Sequence, residues 1–200
     1  MTDNTNPNIV ELRRAIVIAG HSGDEAAVRA ALTHASGSVR DAALGAMARL
    51  GLLTNDLAVT AMSDKDARVR SRIAELSVDL PGLDLAPLLD DHDPMVVEMA
   101  AWTCGEHETV ADHIIEKLIQ LCTEHEEPLV REAAVAALGA IGDDRGLKAI
   151  LTACNDKPAV RRRAVLALAP FDGPEVKTAL EAALEDRDWQ VRQAAEDLLG

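Results

Sequence analysis

The sequence predicts an all-α protein, a right-handed α-α superhelix of about six helix pairs plus an N-terminal helix. Three observations predict it. A valine-led helical phrase recurs six times along the chain, and its spacing leaves room for a second helix in every period. The 48% hydrophobic content is mostly Ala, Leu and Val, with Trp102, Phe171 and Trp189 as the only aromatics. Small aliphatic side chains suit helices packed closely on helices. At 27% charged, the chain reads as globular.

The phrase appears as SGSVRDAALGAMARLG from Ser36, DARVRSRIAELSVDL from Asp66 and DPMVVEMAAWTCGEH from Asp93. It returns as EPLVREAAVAALGAIG from Glu127, KPAVRRRAVLALAPF from Lys157 and DWQVRQAAEDLLG from Asp188. The leading valines Val39, Val69, Val96, Val130, Val160 and Val191 are 30, 27, 34, 30 and 31 residues apart. In the fourth copy Val130, Ala134, Ala137, Leu138 and Ile141 make one apolar helical face. A weaker helix precedes each turn, for example over Asp24–His34, Asp144–Cys154 and Glu175–Glu185. One such pair cannot bury its apolar face alone, so neighbours must stack.

These elements divide the chain into a disordered tail over 1–8 and a single repeat domain over 9–200. The pairs fall near 24–51, 54–80, 83–107, 108–142, 144–171 and 174–200, after an N-terminal helix near Ile9–Ala19. The turns carry the chemistry that starts helices. Asp66, Asp93 and Asp188 sit at N-cap positions. Pro94, Pro128 and Pro158 sit at the first helical position, where a missing N–H costs nothing. Arg70, Arg131 and Arg192 follow Asp66, Glu127 and Asp188 by four residues, within helical reach.

The phrase VREAAVAALGAIGD at Val130–Asp143 resembles the consensus of the HEAT-repeat superfamily, specifically the short HEAT-like repeats of the phycobilin-lyase type. The resemblance extends from about Asp24 to Gly200. It implies that the second helix of each pair lines a concave face. It also implies an inter-repeat ladder formed by Asp66, Arg70, Asp93, Glu127, Arg131, Arg161, Asp188 and Arg192. The superfamily consists mostly of scaffolds with a few enzymes, so function must be argued from the site.

The formal net charge is −14. Residues 84–127 hold twelve Asp/Glu and one basic residue, Lys117. The same window holds His92, His107, His113 and His125, together with Cys104, Cys122 and Trp102. It also breaks the repeat. Val97 stands where Arg is expected, the first helix of pair three is short (Leu83–Leu89), and that of pair four is long (Thr109–Thr123). Two readings stand side by side: a surface for a cationic protein partner, or a solvated acidic face. Trp102 falls at offset +6 from its valine, where other copies carry Gly45, Glu75, Ala136, Leu166 and Asp197. That variety fits partial exposure on the concave side, and an exposed Trp is a good interface anchor. A Trp filling the gap beside the short helix fits the same sequence. The candidate partner-binding residues are Glu98, Trp102, Glu106, Glu108, Val135 and Leu166.

Other chemistries find little support. Cys104-x2-His107 and Cys122-x2-His125 have zinc-finger spacing. An intervening helix of about 20 Å would hold the two pairs too far apart for one ion. The turns Asp90-Asp91-His92-Asp93 and Glu124-His125-Glu126-Glu127 occupy equivalent places. Across stacked helices they could share a divalent ion, with His92, Asp93, His125 and Glu126 as the candidate ligands; capping and solvation explain the same residues without one. A di-iron enzyme of this superfamily, deoxyhypusine hydroxylase, carries His-Glu directly after the Val-Arg pair. Here that slot reads Asp41, Ser71, Glu98, Glu132, Arg162 and Gln193. No catalytic constellation or cofactor fingerprint is present, and the acidic balance disfavours nucleic acid. The expectation is a noncatalytic scaffold without cofactor, monomeric and cytoplasmic, with no membrane span, binding a protein through its concave face, with the acidic centre over 84–127 favouring a partner that carries a basic patch. The alternative is a subunit of a bilin-lyase-like or metal-dependent enzyme.

Overall fold

A computed structural model describes residues 6–200, and all regular structure among them is helical. The helices are α1 (Pro7–Ser22), α2 (Glu25–Ala31), α3 (Gly37–Arg49), α4 (Asn55–Met62), α5 (Ala67–Leu76), α6 (Ala86–Leu89) and α7 (Pro94–Glu106). They continue as α8 (Asp112–Glu124), α9 (Pro128–Ile141), α10 (Leu147–Ala153), α11 (Pro158–Ala167), α12 (Pro174–Leu184) and α13 (Trp189–Leu199). Short 3-10 turns cover Ser77–Asp79 and Asp144–Gly146. The chain divides into two compact units, the first ending at Leu83 and the second running from Asp84 to Gly200. The sequence reading has one uninterrupted domain. The division falls where the repeat is weakest, beside the four-residue helix α6.

The recurrent phrase forms the second helix of each pair: α3, α5, α7, α9, α11 and α13. All six leading valines are buried, each 2% exposed or less. In the first unit α1 packs on α3 and α3 on α5. The core there includes Ile16, Val28, Val39, Ala43 and Met47. In the second unit α7, α9, α11 and α13 pack in sequence as one layer, while α6, α8 and α10 pack beside one another. The buried side chains of that unit include Leu88, Leu118, Leu138, Ile150 and Leu168.

Helix α1 begins at Pro7, capped by Asn6, which accepts from the Asn8 N–H at 3.1 Å. It therefore starts before Ile9 and takes Pro7 and Asn8 out of the expected tail, because an Asn-Pro pair is itself a start signal. Residues 1–5 of that expected tail lie outside the described residues. Asp66, Asp93 and Asp188 cap their helices, accepting from the N–H groups of Arg68, Met95 and Gln190 at 3.1, 3.0 and 2.9 Å. Glu127 holds the N-cap position of α9 without a side-chain cap bond.

Close helix crossings explain two glycines. A Cβ on Gly139 of α9 would lie 2.6 Å from the Ala167 Cβ and 2.7 Å from its Cα. A Cβ on Gly105 of α7 would lie 3.0 Å from the Ala137 Cα. Glycine here lets α7, α9 and α11 approach backbone to backbone.

Candidate functional site: the open face of the second-helix layer

Two sets of cross-helix ion pairs run along the second helices. In the buried set, the Val-Arg arginine reaches forward to the turn before the next second helix. Arg40 donates from Nε and Nη2 to Asp64 at 2.7 and 2.5 Å. Arg131 grips Asp156 at 2.5 and 2.8 Å, and Arg161 grips Asp186 at 2.8 and 2.8 Å. Each guanidinium is also anchored through Nη1 to backbone carbonyls of its own turn: His34 and Ala35, His125 and Glu126, and Asp156.

The carboxylates titrate accordingly. At Asp156 and Asp186 the arginine hydrogen bond is the largest influence and holds the carboxyl below its ordinary value. At Asp64 burial is the largest influence and pushes upward. The hydrogen bonds from Arg40 and Asp66 and the Arg40 charge together outweigh it, leaving the carboxyl lowered.

The expected ladder residues fall into two groups. Arg131 and Arg161 make forward pairs to the next turn. Arg70 and Arg192 make the same backward anchor, to the Asp64 carbonyl at 2.8 Å and the Asp186 carbonyl at 2.6 Å. The carboxylates that Arg40, Arg131 and Arg161 grip are Asp64, Asp156 and Asp186, and not Asp66, Glu127 and Asp188; Asp93 likewise caps its helix. Asp66, Asp93, Glu127 and Asp188 stand at the N-cap positions, and the forward-facing carboxylate lies two residues before the N-cap at Asp64 and Asp186 and one before it at Asp156, where the turn approaches the preceding helix. The signal in the sequence is an acid 24 or 25 residues after the arginine, in Asp64-Lys65-Asp66, Asp156-Lys157-Pro158 and Asp186-Arg187-Asp188.

The second set lies on the exposed side of the layer and joins the residue two after the valine to the arginine three after the next valine. Arg72 meets Asp41 at 2.7 Å and its own helix neighbour Glu75 at 2.6 Å. Arg163 meets Glu132 at 3.7 Å, and its buried Nε makes no hydrogen bond among the described residues.

Between α7 and α9 both sets fail. Val97, 1% exposed, replaces the buried arginine. His125 replaces the turn aspartate, and its Nδ1 accepts the Glu127 N–H at 3.1 Å. Ala133 stands where the outer arginine would be, so Glu98 has Glu132 for a neighbour. Burial first, and then the Glu132 charge, push the Glu98 carboxyl above its ordinary value.

Around these charges the layer exposes apolar groups. Met95 is 57% exposed, Trp102 43% and Leu129 43%. Leu166 and Ala136 are half-buried at the position equivalent to Trp102. Glu106 and Glu108, at and just beyond the end of α7, are exposed. Val135 is 0% exposed, so it belongs to the packed interior and not to a binding face. Its offset of +5 is one residue away from the exposed row.

Much of the acidic window has local structural work instead of forming one patch. Asp84 accepts from the Ala86 N–H and pairs with His113, both at 3.0 Å. Asp91 accepts the Asp93 N–H at 2.9 Å, and Asp112 pairs with Arg145 at 3.0 Å.

The metal candidates are not brought together. No group of three His, Cys, Asp or Glu among the described residues is placed to hold a metal ion. A groove of about 320 Å³ does lie between the two turns, lined by Asp90, Asp91, Lys117, Glu124 and His125. The Lys117 ammonium is paired with Asp90 there, so a cation already stands among the carboxylates. His92 and Glu126 project to solvent. Cys104 and Cys122 are buried, and burial, the largest influence, pushes both thiols up to about 12. A wider open groove of about 970 Å³ between α10 and α12 contains none of the predicted site residues.

The fold and the repeated rungs define an α-solenoid repeat protein. Residues 115–200 match the family model described as HEAT repeats. Among solved structures, an engineered protein aligns over 86% of this chain and 95% of its own, with TM-score 0.60 and 19% identity. The Escherichia coli protein YibA aligns over 91% of this chain and 72% of its own, with TM-score 0.63 and 18% identity. No curated protein matches by sequence. Residues 115–200 thus carry HEAT repeats, a repeat fold that is commonly a protein-interaction scaffold. These matches do not extend to the phycobilin-lyase type. Among the described residues no helix is long and apolar enough to cross a membrane.

Proposed function

We propose that this protein is a noncatalytic adaptor, monomeric and cytoplasmic, that binds a basic protein partner on the open face of α7, α9 and α11. The observation that carries the reading is Trp102, a large side chain 43% exposed on a helix whose other faces are packed. Met95 and Leu129 on the same layer extend the apolar contact, and Glu98, Glu106 and Glu108 give it negative charge. A partner of opposite charge associates faster, and its binding weakens with salt. Aromatic anchors at the centre of such a face supply a large share of the affinity.

The test is affinity capture from native lysate with the wild-type chain, Trp102→Ala, and a triple charge reversal of Glu98, Glu106 and Glu108. The expected outcome is a captured protein lost with Trp102→Ala and, in the charge reversal, lost along with its salt sensitivity. Equal capture by all three chains would remove this face from consideration.

A further inference from the structure

Along the row two residues after each valine, the second unit reads Glu98, Glu132, Arg162 and Gln193. The row therefore changes sign between α9 and α11. Arg163 stands beside Arg162 and, among the described residues, meets Glu132 at 3.7 Å. In the first unit the corresponding pair, Asp41 with Arg72, is closed at 2.7 Å. In the second unit Glu132 has that one long contact, and Glu98 has Glu132 as its neighbouring charge. Both carboxylates are half-buried, and the exposed Trp102 lies one helical turn from Glu98 on α7.

We propose that this face reads a short extended peptide segment bearing a lysine or arginine and, about three or four residues away, an aspartate or glutamate. The cation sits between Glu98 and Glu132 beside the Trp102 ring, and the anion sits on Arg162 and Arg163.

The inference rests on the protein-binding reading above and adds a charge register to it. Its geometry follows from the layer. Packed helices lie about 8–10 Å apart, and an extended chain advances about 3.3 Å per residue. A segment crossing from α7 towards α11 therefore passes from the carboxylates to the guanidiniums in about three or four residues. Each part matches a need of the face. A cation between Glu98 and Glu132 relieves two like charges held in a partly dry place, and the indole face of Trp102 attracts the same cation. A carboxylate supplies the fork of Arg162 or Arg163 with the bidentate partner that Arg131 and Arg161 already have. A uniformly basic segment would place a second cation against those arginines, so the row selects a segment with both signs in one order.

A random decapeptide display library panned on the intact protein tests this. The expected result is enrichment of sequences with a Lys or Arg and an Asp or Glu at that spacing. Their binding should fall at least about tenfold in the double variant Glu98→Gln, Glu132→Gln. Circular dichroism of that variant should be unchanged, since both positions keep their shape. Selected peptides that need Trp102 but lack the pair would overturn the register and leave the adaptor reading standing. Failure to select any peptide dependent on Trp102 would overturn both.

Discussion

The α9–α11 and α7–α9 interfaces belong to one layer and are built on opposite rules. Between α9 and α11, Arg131 grips Asp156 in the interior and Arg163 meets Glu132 on the open face. Between α7 and α9, a valine, an alanine and a histidine stand in those slots, and the helices are joined by apolar packing and the Gly105–Ala137 approach. The difference teaches that a HEAT-type rung is a matched set. Arg40, Arg131 and Arg161 have Asp64, Asp156 and Asp186, whereas Val97 has His125. The turn residue follows the side chain that the preceding helix sends to it.

The largest effect should come from forcing the rule on the wrong interface. Val97→Arg alone places an unpaired guanidinium in the interior and should cost about 4 kcal/mol, read from urea unfolding. Adding His125→Asp should recover at least half of that loss. If the double variant is no more stable than the single, the two slots are not equivalent.

Removing a native rung comes next. Asp156→Ala leaves Arg131 buried without its partner and should cost about 3 kcal/mol. Because the Asp156 carboxyl is held below its ordinary value, its contribution is complete above the unfolded value, about 4. It is lost as pH falls through the lower folded value. Asp156→Asn should therefore be destabilised at pH 7 but approach wild-type stability at low pH. An unchanged gap across that range would show that the rung does not titrate.

Gly139→Ala should cost about 2 kcal/mol by pushing α9 off Ala167. Gly105→Ala should cost less, since its nearest contact is 3.0 Å and not 2.6 Å. A reversed order, measured by thermal unfolding, would mean that α7 and α9 are the more rigidly held pair.

The smallest effect has the opposite sign. Glu98 is pushed up by burial and by Glu132, so its ionised form opposes folding at neutral pH and ceases to do so once protonated. Glu98→Gln should stabilise by about 0.5 kcal/mol at pH 7, a value kept small by partial exposure. The gain should vanish as the pH falls below the ordinary carboxylate range.

Much of this architecture is legible in the sequence because it is local. Valine spacing, Asp caps and Pro at the first helical position each act within a few residues, and the helices form where they indicate. The ladder is only half legible. Arg131 and Arg161 stand out because they repeat, but their acidic partners depend on how far the next turn reaches back, which is a distance between helices. The N-cap aspartates are the more conspicuous acids and occupy the expected place for a different reason. The same limit applies to Val135. An error of one residue in helical phase moves a side chain from the open face to the interior, and periodicity alone leaves that phase loose. Trp102 is the reverse case, since its departure from the apolar pattern already points to exposure.

The buried thiols give the second unit an internal clock. Cys104 and Cys122, 1% and 3% exposed and pushed up to about 12, react with an alkylating reagent only when their surroundings open. Their labelling rates therefore time the transient parting of α7 and α8 from the helices around them. The half-buried Cys154, pushed up to about 11, serves as the faster reference within the same molecule.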